Sequence, residues 1–160
     1  MVNFEYIDAK SLGDVPDLLG KRWGESEILA GGTDLLDRLK ERLDTPKRVI
    51  NIKGLKELHG IQNGDGLKIG TLTTIAELAA DERVHKSYPV LAEAAASIAT
   101  PQLRNMGTVG GNLCQRPRCW YYRGLEYKCL KKGGAKCYAA EGLNKYNAIL
   151  GGGPSFIVHP

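Results

Sequence analysis

The sequence predicts a mixed fold of helices and strands divided into two small lobes. Strand-like and helix-like segments alternate up to about residue 60, and this alternation is typical of a small parallel sheet. After residue 100 glycine-rich loops replace the alternation, with no clear helical pattern. At 160 residues the chain can bury one good core or two small ones. We therefore expect an N-terminal α/β lobe at residues 1–60 and a second lobe at residues 61–160.

Three strands and two helices are predicted in the N-terminal lobe. The strands are short apolar or alternating runs at residues 4–7, 27–30 and 48–52. The helices have apolar residues at helical spacing, at residues 11–23 and 34–42. Ser11 and Thr33 are the expected N-caps, because a hydroxyl at that position accepts a hydrogen bond from the first helical turn.

The second lobe is predicted to begin with a strand at residues 67–70, which follows a turn at residues 63–66. Residues 74–99 have a helical pattern that breaks near Tyr88 and Pro89, because proline does not continue a helix. Residues 114–150 are expected to form a basic, cysteine-rich insertion.

Two glycine-rich loops are the most informative feature of the chain. The first reads A-G-G-T-D-L at residues 30–35, and the second reads R-N-M-G-T-V-G-G-N-L at residues 104–113. Glycine lets the backbone approach a ligand closely, and a strand-to-helix turn directs N–H groups at an anion. Neither loop is a Walker A motif or a G-x-G-x-x-G fingerprint. We interpret the pair as the binding site of a large anionic cofactor that contains a diphosphate.

Each of these features also has a simpler interpretation. The first loop is explained by a turn followed by a helix N-cap, and the second by a glycine-rich crossover. Thr74 has the features of a plain N-cap, and Arg104 those of a solvated arginine. The residues alone leave these alternatives open.

The four cysteines are spaced C-x4-C-x9-C-x7-C, at Cys114, Cys119, Cys129 and Cys137. A zinc ribbon is disfavoured because there is no C-x2-C pair, and the spacing also differs from the common ferredoxin runs. Residues 114–137 hold seven Lys and Arg against one acidic residue, so the basic character of the chain is concentrated there. A nucleic-acid-binding domain built on this segment is one alternative, although no signature of such a domain is present.

Acid–base catalysis by the chain itself is not indicated. His59, His85 and His159 stand alone in the sequence, and no Ser-His-Asp set, paired carboxylate or H-x-x-x-H pattern occurs. The sequence has no apolar run of membrane-spanning length and no basic N-terminal leader. We therefore expect a cytoplasmic protein.

The two loops, together with I-G-T-L-T-T-I-A-E-L at residues 69–78, resemble the FAD-binding (medium) subunit of the molybdenum hydroxylases, the group of xanthine dehydrogenase and carbon monoxide dehydrogenase. The resemblance implies an α+β, two-lobed FAD-binding fold of the vanillyl-alcohol oxidase-like type, here C-terminally truncated. It also implies an oxidoreductase component that passes electrons between its flavin and the iron–sulfur centres of partner subunits. The implied partners are a molybdopterin-binding large subunit and a [2Fe–2S] small subunit.

The same resemblance assigns FAD-binding residues to both loops and to the segment between them. The chemistry of such a subunit belongs to the flavin, so no catalytic residue is assigned. The assigned residues are Ala30, Gly31, Gly32, Thr33, Asp34, Leu35, Thr71, Thr74, Arg104, Gly107, Thr108, Gly110, Gly111, Asn112 and Leu113.

The cysteine-rich segment is similar to that of the 4-hydroxybenzoyl-CoA reductase type, whose flavin subunit carries an inserted cysteine-rich loop. This similarity makes Cys119, Cys129 and Cys137 candidate ligands of a [4Fe–4S] cluster, with Ser155 at the position of the fourth ligand. Cys114 belongs to the flavin loop and is a second candidate for that position. For an isolated chain, the expectation is free thiols or a disordered loop. The alternative function is an iron–sulfur or metal-binding interaction module without flavin.

Overall fold

The computed structural model describes residues 1–150 and 152–157. Its contacts group the chain into two compact units, Met1–Gln115 and Arg116–Pro160. The division lies close to the start of the predicted cysteine-rich insertion, whereas the lobe boundary predicted at residue 60 falls inside the first unit and stays a prediction. Within the described residues, no helix combines the length and the apolar character needed to cross a membrane.

A three-stranded parallel sheet lies in the first unit, and this confirms the sheet predicted from the alternating pattern. Its strands are β1 (Glu5–Asp8), β2 (Ser26–Leu29) and β3 (Arg48–Asn51). β3 lies between the other two, and Ile50 is opposite both Ile7 and Ile28. Val49 and Ile50 are 1% and 0% exposed. The central strand is therefore covered on both faces, as parallel sheets require.

The two helices that connect these strands are shorter than predicted. They are α1 (Asp14–Leu18) and α2 (Leu35–Lys40). Ser11 does not cap α1, because Gly13 occupies the N-cap position and α1 begins at Asp14. The Ser11 N–H instead donates to the Asp14 carboxylate at 2.8 Å in the turn ahead of the helix. Thr33 does not cap α2, because Asp34 occupies the N-cap position, without a capping hydrogen bond from its side chain. The apolar spacing thus extends beyond the residues that are helical.

A β-hairpin follows the parallel sheet. It consists of β4 (Ile61–Gly64) and β5 (Gly66–Ile69), which pair in antiparallel fashion. β5 confirms the strand predicted at residues 67–70. β4 was missed because three of its four residues, after Ile61, are polar or glycine. Gly66 has a φ of +98°, a conformation that favours glycine in the turn.

Five short helices complete the first unit, and their N-caps set where they begin. They are α3 (Ile75–Ala80), α4 (Glu82–Ser87), α5 (Pro89–Ser97), α6 (Pro101–Met106) and α7 (Val109–Leu113). The start of α5 at Pro89 confirms the predicted break. Asp81 adds a second break by capping α4, and a hydrogen bond from Arg83 lowers the pKa of Asp81 to about 2. The expectation of no helix after residue 100 was wrong, because Thr100 and Thr108 cap α6 and α7.

Three buried apolar clusters form the core of the first unit, around the sheet and α3 to α5. One cluster lies on the sheet and includes the first residue of α2, and it contains Leu29, Leu35, Leu39 and Val49. Another joins the sheet to the segment ahead of α3, and it includes Val15, Ile50, Leu55 and Leu72. A third holds α3, α4 and α5 together through Ile75, Leu78, Val84, Ala92 and Ala95.

The described part of the second unit contains one helical turn and two 3-10 helices. They are α8 (Trp120–Arg123), Leu130–Lys132 and Tyr138–Ala140. Three aromatic rings contact one another at centroid distances of 5.0–5.7 Å, those of Tyr121, Tyr127 and Tyr138. Aromatic packing of this kind gives the unit a small core of its own.

Candidate cofactor-binding site

Three segments that are distant in the sequence meet in the first unit, and they contain every residue that the resemblance assigns to FAD. They are glycine loop A (residues 30–35), the threonine segment (residues 71–74) and glycine loop B (residues 104–113). Loop A leads from β2 into α2, the threonine segment precedes α3, and loop B runs from α6 to the end of α7.

Glycine loop B is hydrogen-bonded to the threonine segment. The Val109 N–H donates to the Thr73 carbonyl oxygen at 2.8 Å, and the Gly110 N–H donates to the Thr71 carbonyl oxygen at 2.9 Å. A Cβ atom at position 110 would lie 2.8 Å from the Thr71 Cβ and 3.1 Å from its carbonyl oxygen. The close approach of the two backbones therefore explains why Gly110 carries no side chain.

Glycine loop A contacts glycine loop B at Gly31. A Cβ atom at this position would lie 1.9 Å from the Met106 carbonyl oxygen and 3.2 Å from the Gly107 Cα. The Gly107 carbonyl oxygen accepts a hydrogen bond from the Ile75 N–H at 2.9 Å, and this bond connects loop B to the first residue of α3. Only glycine at position 31 leaves room for this contact.

Glycine loop A has backbone N–H groups that are available to a ligand. The N–H groups of Gly31, Gly32 and Thr33 donate to no acceptor within the described part of the chain, and all three residues are partly exposed. Gly32 has a φ of +78°. Successive N–H groups around a left-handed residue form a concavity that binds anions. Loop A therefore offers the donors that phosphate oxygens accept.

Several other predicted site residues already use their polar groups within the protein. The Thr74 hydroxyl accepts a hydrogen bond from the first turn of α3 at 3.1 Å, so it is an N-cap. The Thr108 hydroxyl caps α7 by accepting from the Gly111 N–H at 3.2 Å. The Arg104 guanidinium donates to the Ile98 carbonyl oxygen at 2.8 Å, near the end of α5. These side chains stabilise the segments that form the site.

The remaining predicted residues differ in exposure. Thr71 and Leu113 are exposed, and Asn112 is partly exposed with its Oδ1 accepting from the Gln115 Nε2 at 3.1 Å. Leu35 is only 5% exposed and packs in the core. The Leu35 side chain thus anchors loop A, whereas Thr71 and Asn112 have polar groups at the surface.

A buried arginine next to loop A was missed by the sequence analysis. Arg38 on α2 is 5% exposed and forms ion pairs with Asp34, Glu27 and Asp44. Its Nε lies 3.1 Å from the Asp34 Oδ2, but the N–H is not directed at that oxygen, so this contact is an ion pair without a hydrogen bond. Burial acts to lower the pKa of Arg38, and the three carboxylates outweigh this effect and raise it. The i,i+4 spacing of Asp34 and Arg38 was the available sequence signal.

A family comparison identifies the domain in which these segments lie. The FAD-binding domain family of the molybdopterin dehydrogenases matches residues 2–119. The chain belongs to this family. Loops A and B and the threonine segment all lie within the matched range, so the three segments that meet in space belong to an FAD-binding domain.

Relatives of this FAD-binding domain include subunits of several dehydrogenases. The aldehyde oxidoreductase FAD-binding subunit PaoB of Escherichia coli (strain K12) is 39% identical over 136 residues, which cover 84% of this chain and 43% of that protein. The carbon monoxide dehydrogenase medium chain of Hydrogenophaga pseudoflava is 41% identical over 111 residues, which cover 69% of this chain and 39% of that protein. The chain thus spans about two-fifths of the length of these relatives.

Solved structures share the mixed α/β architecture of the domain. Carbon monoxide dehydrogenase from Hydrogenophaga pseudoflava, in a form that lacks the Mo-pyranopterin moiety of its cofactor, aligns with a TM-score of 0.64 and 41% identity. The alignment covers 69% of this chain and 39% of that chain. A cyanide-inactivated Cu,Mo-CO dehydrogenase aligns with a TM-score of 0.66 and 35% identity, over 71% of this chain and 40% of that chain.

The cysteine-rich segment lies almost entirely beyond the family match. An isolated bridge pairs Cys129 with Lys136, next to Cys137, and the Asn147 Nδ2 donates to the Cys119 Sγ at 3.6 Å. The four cysteines are free thiols. Among the residues that the structure describes, no three His, Cys, Asp or Glu side chains form a group suited to a metal ion. The iron–sulfur ligands and the similarity to the 4-hydroxybenzoyl-CoA reductase type therefore stay predictions.

The histidines have contacts typical of structural residues. A ring nitrogen of His59 lies 3.2 Å from the Lys53 carbonyl oxygen, and one of His85 lies 2.7 Å from the Ala79 carbonyl oxygen. His159 lies outside the described residues. Neither described histidine belongs to loop A, loop B or the threonine segment.

Proposed function

We propose that the chain binds FAD at loops A and B and is the flavin-bearing electron-transfer part of a molybdenum hydroxylase-type oxidoreductase. The observation that carries this proposal is the contact of loop A with loop B at Gly31, beside N–H groups that have no acceptor in the described chain. A diphosphate fits such a site, because its oxygens need several N–H donors from one short stretch of backbone.

We assign different roles in FAD binding to the different residues of the site. We assign the diphosphate to the N–H groups of loop A, because these donors are free. We assign hydrogen bonds to Thr71 and Asn112, which carry polar groups at the surface. Gly107, Gly110 and Gly111 allow the close packing of loop B, because a Cβ on each would crowd Leu103, Thr71 or Thr108. Thr74, Thr108 and Arg104 hold the backbone of the site in place. Bound FAD supplies the electron-transfer chemistry, and the chain binds and orients it.

We extend the proposal to the lobes of the domain. The parallel sheet lies within residues 1–60, and the hairpin and α3 to α7 follow it. This order supports an N-terminal α/β lobe and a second lobe at residues 61–160, with FAD between them as in vanillyl-alcohol oxidase-like proteins. A cytoplasmic location remains our expectation from the sequence.

Partner subunits complete the proposed enzyme. Relatives of the chain include an FAD-binding subunit and medium chains, which are names of components of larger assemblies. We propose a molybdopterin-binding large subunit and a [2Fe–2S] small subunit as partners, with electrons passing between the flavin and the iron–sulfur centres.

The absorption spectrum of the anaerobically purified chain tests the flavin proposal. We expect a yellow protein with a band at about 450 nm, because the cofactor is an oxidised flavin. The band should persist in solution after denaturation, since the proposed site holds the flavin by hydrogen bonds and releases it intact, and chromatography should identify FAD. Broad absorbance that a chelator abolishes, with no FAD released, would instead favour the metal-binding module without flavin.

A [4Fe–4S] cluster is the second, separate part of the proposal. The described cysteines do not form a complete donor set, so we route no electron step through a cluster. We propose that any iron in the chain depends on Cys119, Cys129 and Cys137 and is labile, because Ser155 offers a hydroxyl where a thiolate is needed. Soft sulfur ligands suit iron–sulfur clusters better than oxygen ligands do.

Substitution of Ser155 by cysteine tests this cluster proposal. Ser155→Cys should raise the iron and sulfide content per chain and slow the loss of iron in air. Ser87→Cys, which adds a thiol at an exposed position of the first unit, is the control and should change neither quantity. If Ser155→Cys has no effect while Cys114→Ser abolishes iron binding, Cys114 is the fourth ligand and the proposed set is incomplete.

A further inference from the structure

Arg38 forms an ion pair with a carboxylate of loop A, to which we assign the FAD diphosphate. Asp34 follows directly after the free N–H groups of Gly31, Gly32 and Thr33, and its side chain is only 11% exposed. An ionised carboxylate at this point repels an approaching diphosphate, and the repulsion is stronger where water is partly excluded. Arg38 lies one helical turn along α2, with its Nε 3.1 Å from the Asp34 Oδ2.

We infer that Arg38 is a positioning residue for the flavin site, which pairs with Asp34 and so prevents its carboxylate from opposing the FAD diphosphate. The inference rests on the proposed function. Its support is the geometry of the contact: the Nε–H makes no hydrogen bond although it is buried, so the contact with Asp34 acts through charge. The other guanidinium nitrogens bind Glu27 and Asp44, which hold the arginine in place.

A purely structural role for Arg38 is the competing explanation. The same side chain links β2, through Glu27, to the segment after α2, through Asp44. Loss of such links would weaken FAD binding by loosening loop A, whatever the charge of residue 34. A double-mutant cycle separates the two explanations, because it measures whether the effects of two substitutions depend on each other.

The cycle uses the whole chain and the variants Arg38→Met, Asp34→Asn and Arg38→Met/Asp34→Asn. Each protein is stripped of flavin and titrated with FAD, and the dissociation constant is read from the quenching of flavin fluorescence. We expect Arg38→Met to weaken FAD binding about tenfold when Asp34 is present, and less than about threefold in the Asp34→Asn background, because directly coupled residues show such non-additivity. The defect should also shrink as salt is raised, because ions screen the repulsion.

Two further variants control for charge and for folding. Arg38→Lys keeps the positive charge without the forked geometry, so it should bind FAD within about threefold of the wild type even if its thermal midpoint falls. Arg83→Met removes an arginine from the exposed ion pair with Asp81 and should leave FAD binding unchanged. Circular dichroism establishes that each variant is folded. If Arg38→Met does not fold, Asp44→Asn decides, since it leaves Arg38 more strongly paired with Asp34 and should tighten FAD binding at low salt.

An equal loss of FAD affinity from Arg38→Met in both backgrounds, insensitive to salt, would overturn the inference and leave the flavin site intact. Unchanged or weaker binding by Asp44→Asn would do the same in the case where Arg38→Met is unfolded. Absence of FAD binding by the wild-type chain, which is measured first, would instead defeat the proposed function and this inference with it.

Discussion

Gly31→Ala should lose FAD and destabilise the first unit, although it adds a single methyl group. The added Cβ would lie 1.9 Å from the Met106 carbonyl oxygen, and a backbone atom cannot rotate away as a side chain can. Loop A and loop B would have to separate, so the contact that forms the site would open. We expect the free energy of unfolding to fall by about 3 kcal/mol, at the upper end of the usual cost of overpacking. Urea unfolding and the FAD content of the purified chain measure the two effects.

The same substitution at Gly54 is the matched control. Gly54 is exposed, and a Cβ atom there meets nothing within 4 Å. Gly54→Ala should therefore keep the stability and the FAD content of the wild type. A Gly31→Ala protein with wild-type stability and full FAD would show that the loops do not approach as closely as the structure has them.

The sheet and the glycine loops could be predicted from the sequence because each depends on a short, local sequence pattern. The parallel strands are short apolar or alternating runs, and the structure places them within one or two residues of the predicted bounds. The ends of α1 and α2 could not be predicted from such patterns. Gly13 and Asp34 are the N-caps of α1 and α2, and neither has a capping hydrogen bond from its side chain, so these helix ends depend on backbone geometry that apolar spacing does not encode.

For α7 the error is the opposite: α1 and α2 were predicted to be too long, whereas α7 was not predicted at all. Its sequence, V-G-G-N-L, contains two glycines, which disfavour a helix by propensity. The helix forms because Thr108 caps it and because the Val109 and Gly110 N–H groups reach the threonine segment. Tertiary contacts therefore override local preference, and a sequence window around residue 110 cannot contain that information.

The candidate site was predicted as a set of residues but not as an arrangement. Resemblance to a family identified both loops, and the family match confirms the FAD-binding domain. The contact between Gly31 and Met106 joins positions that are 75 residues apart, so no local pattern reveals it. Arg38 was missed for a related reason: its i,i+4 spacing from Asp34 is also that of an ordinary surface pair, whereas its burial and its contact with Glu27 depend on the folded chain.

The glycines of the site have different roles, and substitutions should separate them. Gly31 and Gly110 are small because another backbone passes close to them. Gly32 has a φ of +78°, and the atoms nearest to an added Cβ are the ends of the Leu36 and Leu29 side chains at 3.0 and 3.2 Å. These side chains can shift, so residue 32 is limited mainly by its backbone conformation and by the ligand that we propose beside it.

Gly32→Val should abolish FAD retention while the first unit stays folded. A side chain at this positive φ costs about 1–2 kcal/mol, which a stable domain tolerates. Gly24 has a similar φ of +82° and open space around it, so Gly24→Val has the same backbone strain outside the site. Only Gly32→Val should lose the flavin, because residue 32 lies between the N–H donors of Gly31 and Thr33. Its thermal midpoint should fall somewhat further than that of Gly24→Val, because Leu36 and Leu29 must also shift. Gly110→Val should also lose FAD, but by a different route: its side chain would push loop B away from Thr71, so its thermal midpoint should fall further than that of Gly32→Val. Full flavin content in Gly32→Val, or an equal loss of flavin in Gly24→Val, would refute the assignment of the diphosphate to loop A.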